Sequence, residues 1–133
     1  HKEDLALCLV APAAQGSLGI DLEGDGRDRM RIAPRVLRPE ELVEVEALPQ
    51  AEQWPRVLVA FAVKEATYKA IHPHLQRYVG FEEARVTLDA AGAPGVTLLA
   101  REGEPRLTLE SAVEHFEGRV LAMVRARVVC GTS

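Results

Sequence analysis

The sequence has few of the residues that mark disulfide-rich, nucleic-acid-binding or membrane proteins. Only two cysteines occur in 133 residues, without a Cys-x-x-Cys pair, which argues against a cysteine-rich zinc site. Sixteen Lys and Arg stand against 20 Asp and Glu, giving a net charge of −4, so bulk positive charge for nucleic acid is lacking. The longest apolar runs, such as Leu5–Ala14 and Val57–Val63, fall short of the ~20 uninterrupted residues of a membrane helix.

The composition that remains is that of a globular protein. Hydrophobic residues make up 47% of the chain and charged residues 27%, which excludes intrinsic disorder and fits one domain over residues 1–133. Cys8 and Cys130 lie in apolar runs, which predicts two buried thiols in a reducing compartment, hence a cytoplasmic protein. Because the chain opens on His1 without Met, we expect a processed product or one piece of a longer protein.

Hydrophobic periodicity predicts an α+β domain in which an antiparallel sheet packs against a long helix. The helical pattern is strongest over about Pro55–Ile71, with Pro73 as its stop, and a shorter helix starts at Arg38 and ends before Pro49. Strands are predicted at Leu5–Ala11, Ser17–Glu23, Glu83–Leu88, Val96–Ala100, Arg106–Ser111 and Arg119–Val129.

The first candidate site is the strand segment Gly19-Ile20-Asp21-Leu22-Glu23. Residues two apart on a strand share a face, so Asp21 and Glu23 project together, and Gly19 is expected to leave room there for a ligand. Paired carboxylates suit a hard cation such as Mg²⁺. On this segment alone a solvated acidic strand face is the better explanation, because Asp-x-Glu is a weak signal.

The second candidate is the helical segment from Phe61 to Ala70, which carries Lys64, Glu65 and Lys69. Glu65 and Lys69 are one helical turn apart, so they share a face. One carboxylate and two ammonium groups would suit a metal and a phosphate chain, although a plain surface ion pair has the same spacing. Taken together, the two segments supply the inventory of metal-assisted phosphoryl or pyrophosphate chemistry.

The two motifs together resemble the 4′-phosphopantetheinyl transferase superfamily. Its pattern is Gly-(Ile/Val)-Asp-x-Glu, followed by (Phe/Trp)-x-x-Lys-Glu-(Ser/Ala)-x-x-Lys, and both motifs are complete in this chain. The flanking stretches 34–41, 71–73 and 77–84 are similar to the enterobactin-synthetase-component-D branch of the surfactin-type enzymes. His1 fits a Ser-His-(Ser/Lys) motif that often precedes the first strand in this family.

The resemblance implies transfer of the phosphopantetheine arm of coenzyme A to a serine of an acyl or peptidyl carrier protein, with release of 3′,5′-ADP. By position, Asp21, Glu23 and Glu65 would hold Mg²⁺ against the CoA pyrophosphate. Glu65 or a water that it orients would take the serine proton, so Glu65 and Lys69 are the expected catalytic residues. His1, Lys64 and Lys69 would contact CoA phosphates.

The partners implied are coenzyme A and a carrier protein, with no nucleic acid and no membrane. The carrier is expected on a local patch whose candidate residues are Arg29, Arg31, Arg35 and Leu37. Surfactin-type enzymes have two similar halves, and this chain resembles the second half, so a missing N-terminal half or self-association is expected. The alternatives are a non-catalytic carrier-binding half domain and a Mg²⁺-dependent phosphohydrolase. Fatty-acid, polyketide, nonribosomal peptide and siderophore synthesis all remain open as pathways.

Overall fold

The computed structural model describes residues 6–8, 10–12, 15–24 and 27–129, and it has the predicted α+β architecture. After the first strand come three α-helices, and the other four strands follow the helices. The strands are β1 (Ser17–Gly24), β2 (Ala84–Leu88), β3 (Pro94–Leu98), β4 (Leu107–Phe116) and β5 (Arg119–Val128). The helices are α1 (Ala33–Val36), α2 (Pro39–Glu46) and α3 (Gln50–Leu75).

The strands form two antiparallel sheets, where a single sheet was expected. One sheet has the order β1-β5-β4, and the other is the β2-β3 hairpin. β4 and β5 are joined by a turn in which Glu117 and Gly118 both have positive φ, 48° and 69°, as a tight hairpin turn requires. In the first sheet β5 is central, so its backbone is paired on both sides.

The core lies between the three-stranded sheet and α3. Every second residue of β5 is buried on the helix side: Val120, Ala122, Val124 and Ala126. Small alanines in this row, together with Ala62, Ala66 and Ala70 of α3, allow the helix to approach the sheet closely. Trp54 is buried near the start of α3.

Three predictions about local structure are wrong. Residues 6–8 and 10–12 have no regular structure, so no strand forms in the described part of Leu5–Ala11. Pro73 does not stop α3; the helix continues to Leu75 and ends at Gln76, whose φ of 52° is left-handed. Cys8 is exposed rather than buried, and Cys130 lies outside the described residues.

Within the described ranges, no helix is both long and apolar enough to cross a bilayer.

Candidate active site

The acidic face of β1 is turned towards α3. Asp21 lies opposite Ala122 and Glu23 opposite Val120, so both carboxylates share the sheet face that forms the core. Asp21 is 9% exposed and Glu23 6% exposed. These side chains therefore do not form a solvated acidic face. They lie where β1 packs against α3, a contact that we call the seam.

Gly19 has a different role from the one predicted. A Cβ at this position would lie 1.8 Å from the carbonyl oxygen of Ala66 and 2.7 Å from the backbone nitrogen of Ala70. The missing side chain thus makes room for α3, not for a ligand. This close backbone approach sets the distance between β1 and the helical turn that carries Glu65 and Lys69.

Lys69 and Asp21 join the two motifs across the seam. The Lys69 ammonium donates to the Oδ1 atom of Asp21 at 3.1 Å and to the Ile20 carbonyl at 2.8 Å. The Oδ2 atom of Asp21 is buried and has no hydrogen-bond partner in the structure. A buried carboxylate oxygen without a partner is costly, and such an oxygen can be satisfied by a cation. Lys69 keeps half of its side chain exposed, so a ligand can reach its ammonium.

The carboxylates present fit Mg²⁺ in their chemistry, because a hard cation prefers oxygen ligands and the Asp21 Oδ2 atom lacks a partner. Glu65 is half-buried on α3, one turn before Lys69. Across residues 6–8, 10–12, 15–24 and 27–129, however, no three His, Cys, Asp or Glu side chains are grouped as a metal site. Glu23 and Glu65 each have an interaction of their own, so neither is without a partner. The predicted triad is therefore not assembled as a three-carboxylate cluster.

Lys64 does not lie in this site. Its side chain is completely buried, and its ammonium donates to Glu41 Oε1 at 2.7 Å, to the Val36 carbonyl at 2.8 Å and to the Phe81 carbonyl at 3.1 Å. Burial lowers the pKa of this ammonium group, while the hydrogen bond that it donates to Glu41 acts in the opposite direction. Because all three of its protons are already donated, the structure is inconsistent with the predicted contact between Lys64 and a CoA phosphate.

An aromatic cluster borders Glu65 on α3. The ring of Phe81 lies 5.8 Å from that of Phe61 and 5.6 Å from that of Tyr68. The Tyr68 hydroxyl is buried without a hydrogen-bond partner in the structure, and burial, followed by the charge of Glu65, raises its pKa. Phe61 and Tyr68 thus pack against the half-buried Phe81.

The predicted carrier-docking residues are divided between the surface and the core. Arg31 and Arg35 are exposed on the short 3₁₀ turn and on α1. Arg29 lies over the ring of Trp54, at 5.4 Å from its centroid. Leu37 is 6% exposed and belongs to the hydrophobic core, so it is not a docking residue. Arg31 and Arg35 remain from the predicted patch as exposed cations.

The predicted role of His1 lies outside the described residues. Two residues that sequence reasoning missed are Glu41, which binds Lys64, and His74, whose Nε2 atom lies 2.7 Å from the Ser17 hydroxyl oxygen. That second contact ties the first residue of β1 to the last turn of α3. Glu41 accepts the backbone N–H of Arg38 at the start of α2, but no sequence pattern links Glu41 to Lys64.

Solved structures of holo-(acyl-carrier-protein) synthases have a similar fold. The structure of the holo-(acyl-carrier-protein) synthase of Neisseria meningitidis is similar, with a TM-score of 0.64 and 27% identity, covering 84% of this chain and 97% of that one. A second synthase, from Bacillus anthracis and in complex with CoA (3′,5′-ADP), has a TM-score of 0.67 and 23% identity over 83% and 94% of the two chains. The fold is therefore that of the holo-acyl-carrier-protein synthases.

The family follows from the sequence comparisons. The model of the 4′-phosphopantetheinyl transferase superfamily matches residues 17–124, so the chain belongs to this superfamily. It is 31% identical over 98 residues to the holo-(acyl-carrier-protein) synthase of Geobacillus kaustophilus, covering 73% of each chain. It is 36% identical over 74 residues to the 4′-phosphopantetheinyl transferase PptT of Mycobacterium tuberculosis, covering 55% of this chain. That match spans only 32% of the Mycobacterium protein.

Proposed function

We propose that this chain transfers the 4′-phosphopantetheine group of coenzyme A to a serine of an acyl or peptidyl carrier protein. Membership of the superfamily supports the reaction class, and the named relatives are transferases or synthases of this kind. The observation that carries the proposal is the junction of the two motifs at the seam of β1 and α3, where Lys69 bonds Asp21 and leaves the Asp21 Oδ2 atom without a partner.

In the proposed reaction one bond forms and one breaks, and residues of the two motifs take the proton and the developing charge. The carrier serine oxygen forms a bond to the β-phosphorus of CoA, the bond from that phosphorus to the bridging oxygen breaks, and 3′,5′-ADP leaves. Glu65, or a water that it orients, accepts the serine proton. Lys69 neutralises charge that develops on the leaving oxygen, because its ammonium is partly exposed and can turn towards a phosphate.

We propose Mg²⁺ as the cofactor, held by Asp21, Glu23 and Glu65. When bound, the ion would neutralise the pyrophosphate and polarise the attacked phosphorus. The support for this ion is the chemistry of the three carboxylates and the unpartnered Asp21 oxygen. The described residues do not group the three side chains as a metal site. His1 stays a proposed phosphate contact, whereas Lys64 is not assigned to CoA.

The carrier protein is proposed to dock beside the site, on Arg31 and Arg35. Carrier proteins are typically acidic, and exposed cations steer such partners and fix their orientation. Val43, which is 66% exposed on α2, offers an apolar side chain to a partner on the helix that follows α1. We propose that the protein acts in the cytoplasm.

We propose further that the chain acts as the C-terminal half of a two-half, surfactin-type enzyme, or by self-association. The sheet face opposite α3 supports a partner there, because Leu18, Ile20, Leu121 and Met123 are only half-buried on it. Association would remove this apolar surface from water. The single domain over residues 1–133 is part of the same proposal.

A carrier-binding half domain without catalysis is the second candidate. The observation that favours it is the absence, in the described residues, of a three-carboxylate group that could hold a metal. It predicts carrier binding without modification even when CoA and Mg²⁺ are supplied. A phosphohydrolase would instead cleave CoA or a nucleotide without a carrier protein.

Intact-mass analysis separates these functions. An apo carrier protein is incubated with the chain, CoA and Mg²⁺, and parallel samples omit CoA, Mg²⁺ or the carrier. Transfer predicts a carrier mass gain of one phosphopantetheine together with 3′,5′-ADP in the supernatant. An unchanged carrier, in the presence and in the absence of the region that precedes this segment in the two-half enzymes, would contradict the proposal.

A further inference from the structure

Lys64 occupies a closed polar site inside the protein. Its side chain has no exposed surface, and its three ammonium protons are all donated, to Glu41, Val36 and Phe81. Glu41 is 4% exposed and is equally well satisfied. Its Oε1 atom also accepts from the backbone N–H of Arg38 at 2.6 Å, and its Oε2 atom accepts from the N–H of Val86 at 2.7 Å.

The bonds of this pair join segments that are far apart in the sequence. Val36 is the last residue of α1, Glu41 lies in α2, Phe81 opens a 3₁₀ turn, and Val86 lies in β2. Lys64 itself lies in α3, one residue before Glu65. The ion pair therefore connects the helical segment 33–46 to the helix that carries the candidate catalytic residues.

The segment 33–46 depends on such tertiary contacts. α1 has four residues, and neither it nor the preceding 3₁₀ turn has a side-chain cap at its N-terminus. A helix this short is not stable by itself. Exposed Arg35 lies next to Val36, whose carbonyl is held by Lys64, so the position of the basic patch depends on this bond.

Stability alone does not explain a buried ion pair. Both charges lose their hydration on burial, and apolar residues of similar volume in the same place often give an equally stable or more stable protein. A pair with all of its hydrogen bonds satisfied does, however, fix geometry, because removing either partner leaves an uncompensated charge. Lys64 and Glu41 thus serve to fix the arrangement of α1 and α2 on α3.

We propose that Lys64, paired with Glu41, is a positioning residue that holds the helical segment 33–46, which carries the docking residue Arg35, at a fixed distance from Glu65 and Lys69. This inference rests on the proposed transferase function. It assigns Lys64 to productive carrier binding, whereas a phosphate-binding role would assign it to CoA.

The test compares Lys64→Met, Glu41→Gln and the double variant in steady-state transfer. Both single variants are expected to raise KM for the apo carrier by about tenfold, because misplacing a binding element weakens productive docking. KM for CoA is expected to stay close to that of the unaltered chain. The double variant is expected to be no worse than the poorer single variant, since each change removes the same link.

Thr67→Val is the matched control on the same helix. Thr67 is also fully buried, but its hydroxyl donates only within α3, to the Val63 carbonyl at 2.7 Å. This variant is expected to lower Tm without changing KM for the carrier. A rise in carrier KM equal to that of Lys64→Met would show a general loss of stability and would overturn the positioning role.

Two further results decide the inference. A rise in KM for CoA with Lys64→Met, unmatched by Glu41→Gln, would restore Lys64 as a phosphate ligand. Hydrogen exchange at residues 33–46 gives a readout without catalysis: it is expected to be faster in Glu41→Gln than in Thr67→Val. If the unaltered chain shows no transfer either alone or together with the region that precedes this segment in the two-half enzymes, the proposed function fails. Unchanged exchange at 33–46 would separately refute the link. Glu41→Gln alone carries both tests if Lys64→Met does not fold.

Discussion

Replacing Gly19 by alanine should disrupt the contact between β1 and α3. The added methyl carbon would lie 1.8 Å from the Ala66 carbonyl oxygen, and that oxygen belongs to the helix backbone, which cannot rotate away. Overpacking costs about 1–3 kcal/mol, and a backbone clash of this depth places Gly19→Ala at the upper end, about 3 kcal/mol. For a chain of this size, Tm should fall by about 10 °C.

Gly24→Ala is the control, because it makes the same change at the end of the same strand. No atom lies within 4 Å of the methyl position there, so its effect on stability should stay within about 0.5 kcal/mol. Thermal unfolding of both variants by circular dichroism gives the comparison. Equal Tm values for Gly19→Ala and Gly24→Ala would refute the close packing of β1 on α3. If β1 moves away from α3, the Asp21–Lys69 contact should lengthen, so transfer should also fall.

Three other predictions test the site and its surroundings. Asp21→Asn should abolish Mg²⁺-dependent transfer while the variant remains folded, because it removes the carboxylate at the seam. Intact-mass rates measure transfer and Tm measures folding, and retained transfer would contradict the assignment of Asp21. Arg35→Glu should raise KM for the carrier, most at low salt, but leave KM for CoA unchanged, since exposed charges act through steering; a salt-independent or CoA-specific effect would exclude docking there. The hydrogen bond from Arg77 lowers the pKa of Glu104 to about 2. The stabilising effect of this ion pair is therefore complete above the unfolded pKa of 4.5 and is lost as the pH falls towards 2. Glu104→Gln should therefore flatten the dependence of Tm on pH between these values, and an unchanged profile would show that the pair does not contribute.

The elements with a clear period could be predicted from the sequence. The alternation in Ser17–Glu23 and the helical spacing around Phe61 identified β1 and α3, and the family motifs identified the residues that meet at their seam. The N-terminal strand was wrong because a short apolar run has no period that separates a strand from an irregular segment. The end of α3 was misplaced because Pro73 lies in the last turn, where it does not terminate the helix.

The role of each side chain within a motif was harder to predict. Lys64 and Lys69 are both lysines of one motif, yet one is buried and the other reaches Asp21. A signal did exist in the sequence, because Lys64 falls in a row with core spacing. The row is Val57, Ala60, Lys64, Thr67 and Ile71, and all five residues are buried. Gly19 was misread for a related reason, since its environment depends on how α3 crosses β1, which no local pattern shows.

Core residues and site residues alternate along about two turns of α3, residues 64 to 70. Lys64 and Ala66 are buried, Glu65 is half-buried, Lys69 reaches Asp21 at the seam, and Ala70 is again in the core. Inserting or deleting one residue before Lys64 would rotate everything after it by about 100°. The site would then be turned away from β1 at the same time as the core lost its contacts. Viable descendants of this sequence should therefore vary in length at the loops and never within this stretch of helix.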